Sequence, residues 1–272
     1  MPNFICTTCG VQYEASASPP ASCVICSEER QYVGWRGQQW TTLDELRRDH
    51  RSTIEPEGPG LTGIGLDPSF GIGQRALHIR GGGGVLWDCT SLVDDAVVTR
   101  VQALGGARAI AISHPHFYSA MVEWSRAFGG IPIYLHEADR AWVMRDDPAI
   151  VYWGGRSLEV APGITLIHCG GHFAGSTVLH WAEGADGLGA LLTGDSIMVA
   201  QDRRTVSFMY SYPNLIPLDA EGVGRIVDAL APFEFEQIYG GWTGKNVLEA
   251  AAQAVRYSAR RYLRAIGNRD RD

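Results

Sequence analysis

The heptad Ser113-His114-Pro115-His116-Phe117-Tyr118-Ser119 follows directly on the apolar run at 109–112. A short apolar run between polar turns reads as a strand. A strand that stops at two imidazoles one residue apart projects both from one rigid edge. A metal site needs that convergence, because its ligands must be fixed before an ion arrives. Whatever fold this chain adopts must bring further ligands to the same strand end, and in sheet-based folds strand ends are where site residues gather.

The surrounding pattern fits such a fold, because strand and helix signals alternate from about residue 61. Residues 75–80 and 85–89 read as strands joined by Gly81-Gly82-Gly83-Gly84. That glycine run lacks the Walker lysine and the spacing of a dinucleotide fingerprint, so it is a turn and not a phosphate loop. Helical spacing of Val97, Val98, Val101 and Leu104 places a helix at 94–104. Ala120, Met121, Trp124 and Phe128 do the same for 119–128. Strands are expected at 109–113, 131–136, 164–169, 177–181, 190–193 and 237–239, with a short helix at 137–145. Further helices are expected at 221–230 and 245–266, the last with Val247, Ala251, Val255, Tyr262 and Ile266 along one stripe. Residues 198–218 read as a long irregular, aromatic loop of a kind that is often functional.

Four of the six cysteines fall in the first 26 residues, as Cys6-x-x-Cys9 and Cys23-x-x-Cys26. Each C-x-x-C turn brings two thiolates to one side of a tight loop, and two such turns complete a tetrahedral S4 site. Four thiolates leave no open coordination position, so this ion stabilises a segment too short to build its own core. The pattern resembles a zinc ribbon and, more loosely, a rubredoxin; zinc is favoured, with iron left open. Cys89 and Cys169 stand alone, which fits a reducing compartment better than a disulfide framework. Residues 1–35 are therefore read as a four-cysteine, zinc-ribbon-like module and 61–272 as the main domain. Between them, 36–60 form a connector in which Thr42-Leu43-Asp44-Glu45 is a capping box opening a short helix, and Pro56, Gly58, Pro59 and Gly60 break regularity.

A net charge of −7 argues against a protein built mainly to hold nucleic-acid phosphates. The first residues lack the basic and apolar regions of a signal peptide, and no apolar run approaches membrane-spanning length. The expectation is a cytoplasmic protein without nucleic-acid or membrane partners, acting on a small molecule, with homo-oligomerisation open.

Two further loops share the design of the histidine heptad, each following an expected strand: Gly170-Gly171-His172-Phe173-Ala174-Gly175-Ser176 and Gly194-Asp195. Three imidazoles suit zinc, and a fourth position could hold a water whose pKa falls to near neutrality. Asp195 would complete the coordination or orient that water. His136, His168 and His180 lie inside strand-like stretches and are read as structural, as is Cys169.

From about residue 61 to 266 the chain resembles the metallo-β-lactamase superfamily of metallo-hydrolases. The resemblance rests on Val85-Leu86-Trp87-Asp88-Cys89, the heptad 113–119, Gly171-His172-Phe173-Ala174-Gly175-Ser176 and Gly194-Asp195, in matching order and spacing. It implies a mixed α/β (α+β) fold, a four-layer αββα sandwich, with His114, His116, His172 and Asp195 at one metal. Tyr118 and Ser119 stand where the family has Asp and His, and Tyr239-Gly240-Gly241-Trp242 stands where it has a further histidine. The second metal site of the family is therefore not carried over. Tyr118 and Trp242, replacing ligands, are expected to line the pocket with Phe173, Tyr118 as a candidate catalytic group beside Asp195. Asp88 and Ser119 are expected to support the ligand loop through hydrogen bonds.

What this implies is a hydrolase with one zinc, activated hydroxide attacking an ester, thioester, lactone or amide carbonyl. Two other readings stay open. One is a redox or iron-binding protein similar to flavo-diiron proteins, against which His116 stands where their loop has Glu. The other is a non-catalytic member that binds a ligand through the aromatic pocket. Residues 146–157 and 198–218 are expected to set pocket selectivity.

Overall fold

Along Val85-Leu86-Trp87 successive side chains point to opposite faces of the strand, as a pleated strand requires. Val85 and Trp87 enter one apolar cluster and Leu86 another. The same alternation puts Ile164 and Leu166 on one side and Ile167 on the other, and it separates Ala190 and Leu192 from Leu191. Two sheets therefore share a central core, and each has a second apolar face that needs a cover.

The computed structural model describes residues 1–267. One sheet has seven strands, in the order Ile150–Trp153, Ile133–His136, Ala109–Ala111, Val85–Trp87, Ala76–Ile79, Leu61–Asp67 and Arg51–Gly58. The other has six, in the order Ser157–Ala161, Ile164–His168, Thr177–Trp181, Ala190–Leu192, Gln237–Tyr239 and Asn246–Val247. Helices Asp95–Ala103 and Met121–Ala127 cover the outer face of the first sheet through Val97, Val101 and Trp124. Helices Ala220–Leu230 and Ala251–Ala265 cover the second through Val223, Ile226, Val255 and Leu263. The architecture is the four-layer αββα sandwich expected from the sequence.

Three local expectations are corrected. The last helix begins at Ala251 and not at 245, because Asn246–Val247 pairs antiparallel with the end of Gln237–Tyr239 and Ala250 turns left-handed at φ 52°. Residues 51–58, read as part of an irregular connector, form an edge strand; Pro56 is tolerated there because an edge needs no donor on its outer side. The stretch 198–218 is not a free loop but two short hairpins, Met198–Val199 with Val206–Ser207 and Met209–Ser211 with Ile216–Pro217.

The N-terminal segment adds a small antiparallel sheet in the order Gln12–Ala15, Asn3–Cys6, Trp40–Thr42. The capping box forms as read: Glu45 N–H donates to Thr42 Oγ1 and Thr42 N–H to Glu45 Oε2, opening the helix Leu43–Asp49. This sheet does not stand apart. Cys6, Cys9, Cys23 and Cys26 bury in the same apolar cluster as Ile110 and Trp124. Among the described residues no helix is long and apolar enough to cross a membrane.

Candidate metal centre

Strand Ala109–Ala111 ends two residues before Ser113, and the backbone there is fixed from the neighbouring strand. Asp88 Oδ1 accepts a hydrogen bond from Ser113 N–H at 2.7 Å, and Asp88 N–H donates to Ala111 C=O at 2.8 Å. Asp88 itself holds a left-handed φ of 62°, and burial pushes its carboxyl well above the usual range.

His114 and His116 emerge on either side of Pro115 in a short 3-10 turn, both 1 % exposed. His172 comes from the loop after Ile164–His168, and Asp195 from the loop after Ala190–Leu192. Gly194 lets Asp195 approach. It sits at φ +50°, and a Cβ there would lie 2.5 Å from Ser113 Oγ.

One donor atom from each of His114, His116, His172 and Asp195 falls within 4.8 Å of the others. His172 Nε2 is 3.2 Å from His116 Nδ1 and 3.7 Å from Asp195 Oδ2. His114 Nε2 is 3.4 Å from Asp195 Oδ2 yet makes no hydrogen bond, and Asp195 Oδ1 is likewise without a partner. Ligands at about 2.0–2.1 Å from one ion would stand about 3.3 Å apart in a tetrahedron. The cluster has that spacing.

Outer hydrogen bonds set which nitrogen faces inward. His172 Nδ1 lies 2.7 Å from Tyr210 C=O, which can only accept, so Nδ1 carries the proton and Nε2 presents a lone pair. His114 Nδ1 meets Ser113 Oγ at 2.9 Å, leaving its Nε2 for the cluster. Burial lowers the pKa of His114 to about 3 and of His172 to about 4, and holds His116 well below the usual range. Burial also raises Asp195 to about 6. Neutral imidazoles beside a carboxyl of near-neutral pKa are the donor set a divalent cation takes up.

The second cluster is equally well formed. Cys6 Sγ and Cys26 Sγ lie 3.6 Å apart, and Cys9 Sγ and Cys23 Sγ 3.7 Å, with all six cysteines unbridged. Bonds of about 2.3 Å in a tetrahedral S4 site give edges of about 3.8 Å. Tyr13 Oη and Gln38 Nε2 donate to Cys23 Sγ and Cys6 Sγ at 3.2 and 3.3 Å, the donors expected around thiolates. Hydrogen bonding to Cys23 holds the Cys6 thiol well below its ordinary pKa.

Beside His116 and Asp195 opens a cavity of about 550 Å³, walled by Trp242, Tyr212, Tyr32 and Ile72. Trp242 is placed there as expected. Tyr118 is not. Its ring is 2 % exposed and packs near Val11, Met121 and Met144, and burial drives its phenol far above 10. Ser119 takes a left-handed φ of 43°, Gln12 N–H donates to its carbonyl at 3.0 Å, and Gln74 Nε2 bridges Cys9 C=O, His116 C=O and Ser119 Oγ. The N-terminal module thus occupies the side to which Tyr118 and Ser119 turn.

Phe173 is also corrected. It is 1 % exposed and packs edge-on against His116 and His172 at centroid distances of 4.9 and 5.2 Å, backing the ligands and not facing the cavity. Residues 146–157 do not line the cavity, because Ile150–Trp153 is the far edge strand of its sheet. Residues 31–32 and 69–73 take that place, with Met198, Tyr212 and Pro213 from the aromatic hairpins. Sequence reading missed the contribution of 31–32, which lies among cysteine-module residues and carries no pattern of its own.

The histidines read as structural lie outside the cluster. His136 stacks on His168 at 3.8 Å, His168 Nε2 meets Ala174 C=O and His180 Nε2 meets Glu234 C=O, each at 2.8 Å. Cys169 is buried, and burial raises its thiol to about 12.

No known family profile matches the chain. The protein YmaE of Bacillus subtilis (strain 168), itself uncharacterised, is 47 % identical over 271 residues, covering 98 % of each chain. Among solved structures, VMB-1 superposes with a TM-score of 0.61 at 11 % identity over 80 % of this chain and 99 % of its own. The DIM-1 metallo-β-lactamase does so at 0.58 and 15 %, over 79 % and 98 %. The mono-zinc form of the metallo-β-lactamase FIM-1 from Pseudomonas aeruginosa gives 0.52 and 14 %, over 76 % and 96 %. At these identities the likeness establishes the metallo-β-lactamase fold.

Proposed function

Because the chain belongs to the family of Bacillus subtilis YmaE and has the metallo-β-lactamase fold, we propose that it is a metal-dependent hydrolase with a single zinc held by His114, His116, His172 and Asp195. The observation that carries this reading is the inward-facing donor set: three neutral imidazoles and a carboxyl at ligand spacing, with His114 Nε2 and Asp195 Oδ1 unpartnered in a buried site. Three nitrogens and one oxygen suit zinc. The mono-zinc form of FIM-1 supports a reading in which a protein of this fold holds one ion.

A bound zinc would supply Lewis acidity, lowering the pKa of water and polarising a carbonyl. The remaining work falls to the chain. Asp195 Oδ1 has no hydrogen-bond partner, and with three histidines as the fixed ligands it is the atom placed to hold the attacking water beside the remaining coordination position and take its proton. The Asp88–Ser113 and His172–Tyr210 hydrogen bonds keep the ligands in position. Trp242, Tyr212 and Tyr32 exclude water and grip the apolar part of a substrate. With this aromatic wall, the fitting substrates are small molecules with an ester, thioester, lactone or amide carbonyl and an apolar part.

The test is hydrolysis of aryl esters, thioesters and lactones by zinc-loaded protein. His116→Ala and Asp195→Asn are expected to lower kcat at least about 100-fold. Turnover unchanged in both variants would overturn the assignment. Ligand binding in the cavity without any turnover would favour the non-catalytic reading.

A further inference from the structure

The cysteine module reaches the histidine site through one side chain. Arg30 follows Cys26 by four residues and is half-buried, its side chain 11 % exposed. Its Nη1 donates to His172 C=O at 3.0 Å. Its guanidinium lies 3.9 Å from the Phe173 ring centroid, and that ring packs against His116 and His172. It also approaches Tyr210 at 5.0 Å, whose carbonyl accepts from His172 Nδ1. Glu28 orients it from behind, accepting from Arg30 Nε at 2.8 Å, and Ser211 Oγ donates to Arg30 C=O at 3.0 Å. The residues that fix the His172 backbone, ring face and tautomer therefore meet at one guanidinium from another part of the chain.

We propose that Arg30 is the positioning residue of the histidine site, through which the cysteine module holds His172 and Phe173 in ligand geometry. This rests on His114, His116, His172 and Asp195 holding an ion. A planar guanidinium suits the task, since it donates to a carbonyl in its plane while stacking on an aromatic face, which an ammonium does not do equally well.

The experiment follows ion release from holoprotein to a chromophoric chelator, then counts the cysteine-bound ion by adding a thiol-modifying reagent. Arg30→Ala is expected to release the histidine-site ion roughly 10- to 100-fold faster, the range for lost outer hydrogen bonds, while retaining the cysteine-bound ion. Arg30→Lys, keeping a cation and a donor, should recover part of the loss. Arg126→Ala, which removes a pair to Asp147 at the surface, serves as the control and should match wild type. Arg30→Ala releasing at the wild-type rate overturns the proposal. So does loss of both ions together, since that marks general loosening of the fold. Wild-type protein holding only the cysteine-bound ion would overturn the underlying metal reading before any variant is made.

Discussion

Asp88 Oδ1 accepts the backbone N–H of Ser113 at 2.7 Å, which ties the end of one strand to the first residue of the histidine loop. Both groups are buried. Asp88→Ala would strand a buried N–H, at a cost of about 1–3 kcal/mol, and loosen His114. Asp88→Asn keeps an acceptor and should retain most of the stability. Chemical denaturation, with metal content measured alongside, checks both.

The stretch Tyr239-Gly240-Gly241-Trp242, which carries no histidine, is closed by packing at Gly241. A Cβ on Gly241 would lie 2.6 Å from Phe117 Cζ. Gly241→His is therefore expected to destabilise the fold by about 1–3 kcal/mol through overpacking. It should not create a second ion site. Metal stoichiometry and melting temperature of the variant test this, and a gain of one bound ion would contradict it.

Arg75 and Glu57 form a buried pair at 2.5 Å. Arg75 also reaches across to the second sheet, donating to Asn246 Oδ1 at 2.6 Å and to Gly240 C=O at 3.0 Å, just before Trp242. Arg75→Met leaves Glu57 charged and without its cation, so a loss of about 3–5 kcal/mol is expected. Removing both partners, in Arg75→Met with Glu57→Met, should cost less than Arg75→Met alone. A denaturation series across the double-mutant cycle decides the matter.

Asp139 supplies a pH test at a carboxyl outside the ligand set, behind the His172 loop. It accepts from Gly175 N–H at 2.8 Å, and burial raises its pKa to about 6. The folded state thus holds a proton that the unfolded chain releases near pH 4. This group's contribution is fully present below about pH 4 and is lost as pH rises to 6 and beyond. In Asp139→Asn the change in stability between pH 4 and pH 7 should shift by about 1–3 kcal/mol relative to wild type. Melting curves across that range measure it.

Much of this was legible in the sequence because period and spacing are local. The short apolar run Val85-Leu86-Trp87 after a glycine turn marked a strand, and His114, His116, His172 and Asp195 each followed a run of that kind. What stayed hidden was long-range. Nothing near Tyr118 signals that its ring turns toward Val11 and Met144, because part of the partner surface comes from a segment more than 100 residues earlier. Arg30 and Tyr32 were silent for the same reason. Pro56 looked like a breaker because only the sheet order shows that its strand lies at an edge.

The central claim is that this chain holds two separate ions, one in each cluster. Element-resolved metal analysis of wild type, Cys23→Ser and His116→Ala tests it most directly. The expected result is two ions in wild type and one in each variant, with zinc at the histidine site lost only in His116→Ala. Wild-type protein carrying one ion, unchanged in His116→Ala, would contradict the account.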